Sequence, residues 1–168
     1  SCLAKSFCVI KLLIVVCIFL ILGPGGEITM SKKYRDSMIV WAAGFIDGEG
    51  SILLSHNKRN ENRSPTVSAS NTCLPMLEGL KKLFGGYICC HGKRKKRHAV
   101  AYSWRVPGNK AMECLKELVP YLQHPLKQRK GNLVLSTYKQ VTQRNGKYTD
   151  AQLSEKRKFE KAFFAIKN

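Results

Sequence analysis

Apolar positions change their spacing along the chain in an order that predicts alternating helices and strands. Residues 37–47 have apolar positions at helical spacing, whereas residues 51–55 and 66–70 alternate as strands do. Residues 73–84 follow with four leucines at helical spacing, and Gly85-Gly86 ends that helix. Two more strands are predicted at 87–90 and 100–106, then helices at 109–119, 127–140 and 154–166. The order αββαββα predicts an α+β fold with a curved antiparallel four-stranded sheet, covered by helices on one face.

An apolar segment precedes this pattern. Residues 7–22 are apolar except for Lys11, and these about sixteen residues are fewer than the roughly twenty that cross a bilayer as a helix. Lys5 before the segment and Gly-Pro-Gly-Gly after it are typical of a targeting segment, although an Ala-x-Ala cleavage site is missing. Met30 followed by Ser-Lys-Lys instead resembles a natural protein start, which indicates that the residues before it are an in-frame extension or continue from upstream coding sequence. We divide the chain into residues 1–30, an apolar leader or extension, and residues 31–168, a single domain.

The chain is strongly basic. It has 29 Lys and Arg against 11 Asp and Glu in 168 residues, a formal net charge of +18. The first 30 residues contain three charged residues, Lys5, Lys11 and Glu27, so the excess of positive charge belongs to residues 31–168. Such a charge predicts a polyanionic partner, with nucleic acid as the first choice. A membrane-attached protein whose charge meets anionic lipid is the alternative, which we disfavour. One domain of this size has no room for a separate small-molecule cofactor domain.

The seven cysteines and four histidines lack the spacing of a zinc or histidine-metal site. No CxxC occurs, and the adjacent Cys89 and Cys90 point to opposite faces of a predicted strand. The cysteines are therefore expected to be reduced thiols. This predicts an intracellular protein of the prokaryotic cytoplasm, chloroplast or mitochondrion, and not a secreted one. The histidines show no HxxxH or HxH spacing, which disfavours a nuclease with histidine metal ligands.

Residues 41–50, WAAGFIDGEG, form the most informative segment. Gly44 and Gly48 lie one helical turn apart, so two copies of this helix could approach with their backbones nearly in contact. Asp47 and Glu49 fall near the helix C-terminus, where the helix dipole disfavours a carboxylate unless positive charge lies beside it. A divalent cation would supply that charge.

This segment resembles the LAGLIDADG motif of homing endonucleases. Ala42 to Gly50 match its nine positions and depart at four, where Ala42 and Phe45 replace Leu, Gly48 replaces Ala and Glu49 replaces the second Asp. The family tolerates the exchanges at Gly48 and Glu49. The resemblance extends over residues 38–140 and includes three further landmarks: Ser70-Asn71-Thr72, Gly85-Gly86-Tyr87-Ile88 and the segment Leu126 to Leu135.

A single motif implies a homodimer, in which each subunit gives one motif helix to a shared seam. The resemblance places Ala43, Gly44, Asp47 and Gly48 in that seam. It also implies an intron-encoded enzyme that makes a double-strand cut in a long, near-palindromic DNA site. The alternatives are an RNA maturase that assists splicing and a DNA-binding regulator. Both would have kept the fold and lost cleavage, and Glu49 in place of Asp is compatible with such a loss.

The expected chemistry is metal-assisted hydrolysis of a phosphodiester in each DNA strand. We assign Glu49 as metal ligand and catalytic residue, with the backbone carbonyl of Gly48 or Gly50 as a second oxygen. Oxygen ligands and an anionic substrate favour Mg²⁺, with Mn²⁺ as a substitute. The family also uses a polar residue that orients water, for which the candidates are Asn71 and then Ser70, and a lysine that stabilises the transition state.

Lys110 is the first candidate for that lysine, and Lys127 or Arg129 could serve instead. Asn71 could equally cap the helix that follows it. Asp47 is assigned a structural role, through hydrogen bonds at the helix end or across the seam.

Double-stranded DNA should lie on the polar face of the sheet, because a twisted sheet of this width fits the major groove. Which side chains face it depends on the strand register, since a shift of one residue exchanges the two faces. The candidate DNA-binding residues are Ser51, Ser55, His56, Lys58, Arg59, Arg63, Ser68, Ser70, Lys93, Arg94, Lys95, Lys96, Arg97, Ser103, Arg105, Lys127 and Arg129.

Overall fold

The computed structural model describes residues 31–56, 62–92, 99–143 and 146–167. Contacts divide the chain into two units, residues 1–35 and 36–168. In the first unit the described residues form the start of a helix, where Ser31 Oγ accepts the N–H of Tyr34. Among the described residues, none of the helices combines the length and apolar character that crossing a bilayer requires.

The described part of the chain contains five α-helices and one four-stranded sheet, so the predicted α+β order is confirmed. The helix that carries the motif is longer than predicted: it begins at Lys32 and not at Ser37, because the intervening residues are all compatible with a helix although most are polar. The elements are α1 Lys32–Glu49, β1 Gly50–Ser55, β2 Ser64–Asn71, α2 Leu74–Phe84, β3 Tyr87–Cys90, β4 Tyr102–Pro107, α3 Gly108–Leu118, a 3-10 turn Val119–Tyr121, α4 Pro125–Thr137 and α5 Asp150–Ala165.

The sheet is antiparallel throughout, with the strand order β1-β2-β4-β3. Its inner face carries the apolar side chains that pack under the helices, and alternation along β1 leaves every second residue on the other face. The core between this face and the helices includes Ile52, Leu54, Val67, Trp104, Val106, Leu77, Leu80, Leu115 and Leu118. The outer face is thereby left for contact with a partner.

The predicted stop at Gly85-Gly86 is a tight connection between α2 and β3. Both residues have positive φ, and a Cβ on Gly86 would lie only 2.3 Å from the carbonyl oxygen of Arg105. Trp104 is fully buried, and its Nε1 donates to the carbonyl of Gly85 at 2.8 Å. This turn therefore fixes α2 against β4 at one end of the sheet.

The C-terminal helix α5 begins with a reciprocal cap. Thr149 Oγ1 accepts the N–H of Gln152, and Gln152 Oε1 accepts the N–H of Thr149. The helix buries Phe159 and Phe163 in the core, together with Lys156, which is 1% exposed. The Lys156 ammonium donates to Thr142 Oγ1 at 2.7 Å and lies 4.1 Å from the ring centroid of Tyr138. A charged group therefore completes the packing of α5.

Burial lowers the pKa of Lys156 to about 8, although the nearby Glu160 acts to raise it. The unfolded chain holds this proton up to the ordinary value of 10.5, so it binds more protons than the folded chain between about pH 8 and 10.5. Relative to Lys156→Met, the wild-type free energy of unfolding should therefore rise across this window, by on the order of 2 kcal/mol.

Urea denaturation of both variants between pH 7 and 10.5 measures the difference. The comparison cancels the opposite contribution of Cys114, whose pKa is raised by burial and whose ionisation favours the unfolded chain above its ordinary value of 9. Lys158→Met is the matched control, since Lys158 is an exposed lysine of the same helix. Parallel curves for wild type and Lys156→Met would contradict the expectation.

Candidate functional site

The motif ends at a junction where helix α1 passes directly into strand β1. Glu49 is the last residue of α1 and Gly50 is the first of β1, where it pairs with Ala69. A Cβ on Gly50 would lie 2.7 Å from both the Cα and the carbonyl oxygen of Ile46, so only glycine fits there. The chain therefore passes from helix to strand without a loop residue, and the Glu49 side chain is left exposed at the end of the helix.

Asp47 ties this junction to the start of helix α4. One carboxylate oxygen accepts the N–H of Gln123 at 2.6 Å, and the other accepts the N–H of His124 at 3.3 Å. The interaction is favourable because amides that precede a helix N-terminus carry partial positive charge. With both oxygens engaged, Asp47 orients the junction, in keeping with the structural role predicted for it at the helix end.

Lys127 brings positive charge to the same place. Its Nζ donates to the carbonyl oxygens of Ile46 at 2.8 Å and Asp47 at 2.5 Å, which are among the free carbonyls at the end of α1. Burial lowers the pKa of Lys127, whereas the carboxylates of Asp47 and Glu49 act to raise it. The ammonium thus offsets the negative end of the helix dipole beside Glu49.

Glu49 is suited to hold a divalent cation only together with other oxygen donors. Among the described residues it has no hydrogen bond or ion pair, and its carboxylate is exposed. Within the same residues, no group of three or more His, Cys, Asp or Glu side chains could hold a metal ion. One carboxylate with a neighbouring backbone carbonyl matches the hard donors that Mg²⁺ prefers, and the remaining ligands would be water and oxygens of another molecule.

Lys110, the first choice for a catalytic lysine, lies in the first turn of helix α3. Helix α3 follows Pro107, which pairs with Thr66 at the end of the sheet away from Gly50. A Cβ on Gly85 would lie 3.8 Å from the Lys110 Nζ, so this ammonium is near the α2–β3 turn. Ala69 joins Gly50 to Trp104 in the register, so three residues of β4 separate the level of Gly50 from Pro107, about 10 Å of strand. The geometry favours Lys127, the alternate of the sequence prediction.

Asn71 ends strand β2 on the same end of the sheet as Gly50. Its Oδ1 accepts the N–H of Cys73 at 2.8 Å, a turn that leads the chain into α2. Cys73 is the N-cap of α2 and makes no side-chain cap hydrogen bond, so the side chain that supports the start of this helix is that of Asn71, two residues earlier. Its amide nitrogen is the group that remains to orient water. Ser70, the second choice, is exposed on the outer face of the sheet.

The register resolves which strand residues share the outer face. Ser51 pairs with Ser68, which in turn pairs with Arg105, and Ser70 pairs with Ser103. All the strand candidates therefore lie on one face: Ser51, Ser55, Ser68, Ser70, Ser103 and Arg105. Leu53, Thr66, Tyr87 and Cys89 share this face by the same pairing and were not predicted from the sequence, because their side chains are not typical of DNA contacts.

Two of these serines already have hydrogen-bond partners. Ser103 is 2% exposed and its Oγ lies 2.6 Å from His91 Nε2, whereas Ser55 Oγ lies 2.6 Å from Thr66 Oγ1. Arg105 is exposed, and so is Arg129 on helix α4. The outer face thus combines hydroxyl groups with one strand arginine. The predicted contacts Lys58, Arg59 and the run Lys93, Arg94, Lys95, Lys96 and Arg97 lie outside the described residues.

Arg63 differs from the other predicted DNA contacts, because its side chain reaches helix α5. Its Nε lies 3.8 Å from Glu160 Oε2, and its guanidinium carbon lies 4.7 Å from the ring centroid of Phe164. The same Nε donates to His56 Nε2 at 3.1 Å. Arg63 and His56 therefore meet at the rim of the sheet, where β1 ends and β2 begins.

The exposed face of α1 contains two of the four predicted seam residues. Gly44 and Gly48 are exposed, with open space where a Cβ would be, and Val40 on the same face is 52% exposed. Ala43 is instead fully buried in the core of its own chain, so its assignment to the seam is wrong. The Asp47 carboxylate is hydrogen-bonded to the backbone that precedes α4, as described above. The sequence could not separate Ala43 from Gly44, because both are small.

Comparisons with known proteins agree with this geometry. The family model described as LAGLIDADG endonuclease matches residues 42–152, from the motif to the first residues of α5. A comparison with curated proteins found no match.

Two solved structures of the homing endonuclease I-CvuI in complex with DNA are similar to this chain. The complex with its own target, in the presence of Ca, has a TM-score of 0.58 at 19% identity and covers 82% of this chain and 86% of that one. The complex with the I-CreI target, in the presence of Mg and with the DNA not cleaved, has a TM-score of 0.59 at 22% identity, covering 80% and 84%. These likenesses show the fold. Since the family model matches well over half of its residues, the chain belongs to the LAGLIDADG endonuclease family.

Proposed function

We propose that this chain is a site-specific DNA endonuclease that acts as a homodimer and hydrolyses one phosphodiester in each DNA strand with Mg²⁺. The observation that carries the proposal is the position of Glu49. Its carboxylate is exposed at the end of α1, two residues from Ser51 on the outer sheet face and beside the ammonium of Lys127. The proposed metal ligand and the proposed DNA-binding face are thus adjacent, at the junction of α1 and β1.

Two copies would be joined through α1. Gly44 and Gly48 leave that helix face without side-chain bulk, so a second α1 could approach closely, and Val40 would gain apolar burial there. Two-fold symmetry then brings both Glu49 carboxylates together at the helix ends. It also predicts a near-palindromic target, because each copy presents the same outer face to one half-site.

Each residue of the site has a separate role in the proposed reaction. Glu49 and the backbone carbonyl of Gly48 would hold the metal, with Mn²⁺ as a substitute. When bound, the metal supplies activation of water and neutralisation of charge on the scissile phosphate. Asp47 would hold the backbone from which Glu49 projects, through its bonds to the amides of Gln123 and His124. Asn71 would orient water.

Lys127 would stabilise the negative charge that develops on the phosphate in the transition state. Its ammonium has two acceptors on α1 and a third proton to donate outward. Its hydrogen bonds within the chain fix its position before substrate arrives, which is the condition for effective electrostatic stabilisation.

The test of the function is a cleavage assay on a library of DNA duplexes that represent intron-free genes, with Mg²⁺, Mn²⁺ or Ca²⁺. A discrete double-strand cut is expected with Mg²⁺ and Mn²⁺, and none after chelation. Tight DNA binding without cutting in any metal would instead support a regulator, and preferential binding of intron RNA would support a maturase. Sedimentation at twice the chain mass of 18.9 kDa would support the dimer.

Lys127 and Lys110 give a matched pair of variants, since both are lysines but only Lys127 lies at the site. Lys127→Met should lower the cleavage rate about a hundredfold, as loss of one charge stabiliser does in other enzymes. Lys110→Met should cut within about twofold of wild type, because its ammonium lies near the α2–β3 turn and not against the end of α1. Single-turnover cleavage measures both, and thermal unfolding confirms that each variant is folded.

The reverse ranking would return the catalytic assignment to Lys110. Equal effects of the two variants would show that the lysines act only by attracting DNA, and a loss of affinity would accompany them.

A further inference from the structure

Helix α5 is held against the rest of the domain by contacts of its buried side chains. Phe159 and Phe163 are at most 3% exposed, and Lys156 Nζ is hydrogen-bonded to Thr142. Lys130 on α4 adds a contact, with its ammonium 5.3 Å from the ring centroid of Phe163. The helix is therefore a rigid support.

From this support, Glu160 and Phe164 reach Arg63. The guanidinium carbon lies 4.7 Å from the centroid of the Phe164 ring, and the Glu160 carboxylate lies on the Nε side of the guanidinium. The two side chains of the ion pair are 35% and 22% exposed, so the contact is shielded from water more than a surface pair is. Both α5 residues lie beyond residue 152, where the family match ends.

Arg63 in turn joins the two strands that form one edge of the outer face. It precedes Ser64, the first residue of β2, and its Nε donates to His56, which follows the last residue of β1. The neighbouring hydroxyls of Ser55 and Thr66, 2.6 Å apart, mark the outer face at this end.

We propose that Glu160 and Phe164 are positioning residues for DNA binding, because through Arg63 they hold the ends of β1 and β2 at the rim of the outer face. The inference rests on the proposed function. It assigns to the C-terminal helix a part in DNA affinity, although neither residue contacts the outer face.

Glu160→Gln separates this role from simple charge. Removal of a carboxylate from a protein strengthens its binding to DNA, since phosphate attraction depends on net charge. The proposal expects the opposite sign, a loss of about fivefold in affinity, because the contact that orients Arg63 is weakened. The probe is one labelled DNA duplex, enriched from a randomised pool by binding to the wild-type protein, and the readout is its dissociation constant.

Glu155→Gln is the matched control. Glu155 lies on the same helix and pairs with Lys158 at 2.7 Å, both exposed and without contact to Arg63. It should bind the duplex as tightly as wild type or slightly more tightly. Phe164→Leu keeps an apolar side chain but removes the ring face, and should also weaken binding. In an Arg63→Ala background, Glu160→Gln should cause no additional loss.

Affinity is compared at a temperature where thermal unfolding shows every variant to be folded. Equal or tighter binding by Glu160→Gln than by Glu155→Gln would overturn the inference, and so would a further loss in the Arg63→Ala background. A lower melting temperature without a loss of affinity would show that α5 only stabilises the fold. If no duplex is enriched by wild type, the proposed function itself fails, so the two failures are distinguishable.

Discussion

Glu49→Gln is expected to lower the DNA cleavage rate about a thousandfold while the affinity for DNA stays within about twofold. The amide keeps the size of the side chain but removes the negative charge that would hold the metal. Loss of metal-assisted catalysis costs several kcal/mol of transition-state stabilisation, and about 4 kcal/mol corresponds to this factor. The substitution should not unfold the protein, because Glu49 is exposed and has no hydrogen bond to the described residues.

Glu78→Gln controls for the change in net charge, since Glu78 is exposed on helix α2. It should cleave as wild type does. Single-turnover cleavage with saturating protein and a titration of Mg²⁺ give the rate and the metal dependence. Retained cutting by Glu49→Gln, with an unchanged Mg²⁺ dependence, would show that Glu49 is not the metal ligand.

Gly50→Ala should destabilise the fold by about 3 kcal/mol, the upper range for overpacking. The added methyl would meet backbone atoms of Ile46 at 2.7 Å and the Ile46 Cδ1 at 2.8 Å. Backbone cannot move aside as a long side chain does, so the end of α1 and the start of β1 must separate. That displacement also shifts Glu49, and cleavage should fall even at temperatures where the variant is folded.

The matched control for this change is Gly79→Ala. Gly79 lies within α2, where a Cβ would meet only ring atoms of Trp41 at 3.4 and 3.5 Å. Alanine is also the better helix former, by about 1 kcal/mol at most. Urea denaturation should therefore show an unchanged or increased stability for Gly79→Ala. Equal stabilities of Gly50→Ala and wild type would show that the junction has room to adjust.

The order of helices and strands could be predicted from the sequence because apolar spacing is a local property. The predicted bounds of each strand and helix after the motif agree with the structure within a few residues. This is because buried positions, which leucine, valine and tryptophan occupy, recur with the period of the helix or strand that carries them. The start of α1 was missed by five residues, because Lys32 to Asp36 are polar and leave no apolar period to detect.

The candidate site was predictable in part. The position of Glu49 at the helix end could be predicted because the Gly-Glu-Gly segment and the preceding small residues lie together in the chain. The sequence favours Lys110 because it opens the helix after the fourth strand, where the family often carries a basic residue. No local pattern shows that α4, which holds Lys127 80 residues after Asp47, returns to the end of α1. The contact of Arg63 with Phe164 was likewise invisible, since it joins a strand end to a helix a hundred residues later.

The direct passage of α1 into β1 has a consequence for changing the specificity of this protein. Glu49 and Ser51 are separated by Gly50 alone, and Gly50 is held by the backbone of Ile46. Under the proposed function, the backbone would therefore fix the distance between the cleaved phosphate and the base pairs that β1 contacts, whatever side chains the strand carries. Variants with new residues at the outer positions of β1 and β2 should therefore recognise different sequences but cut each at the same number of base pairs from the centre of symmetry.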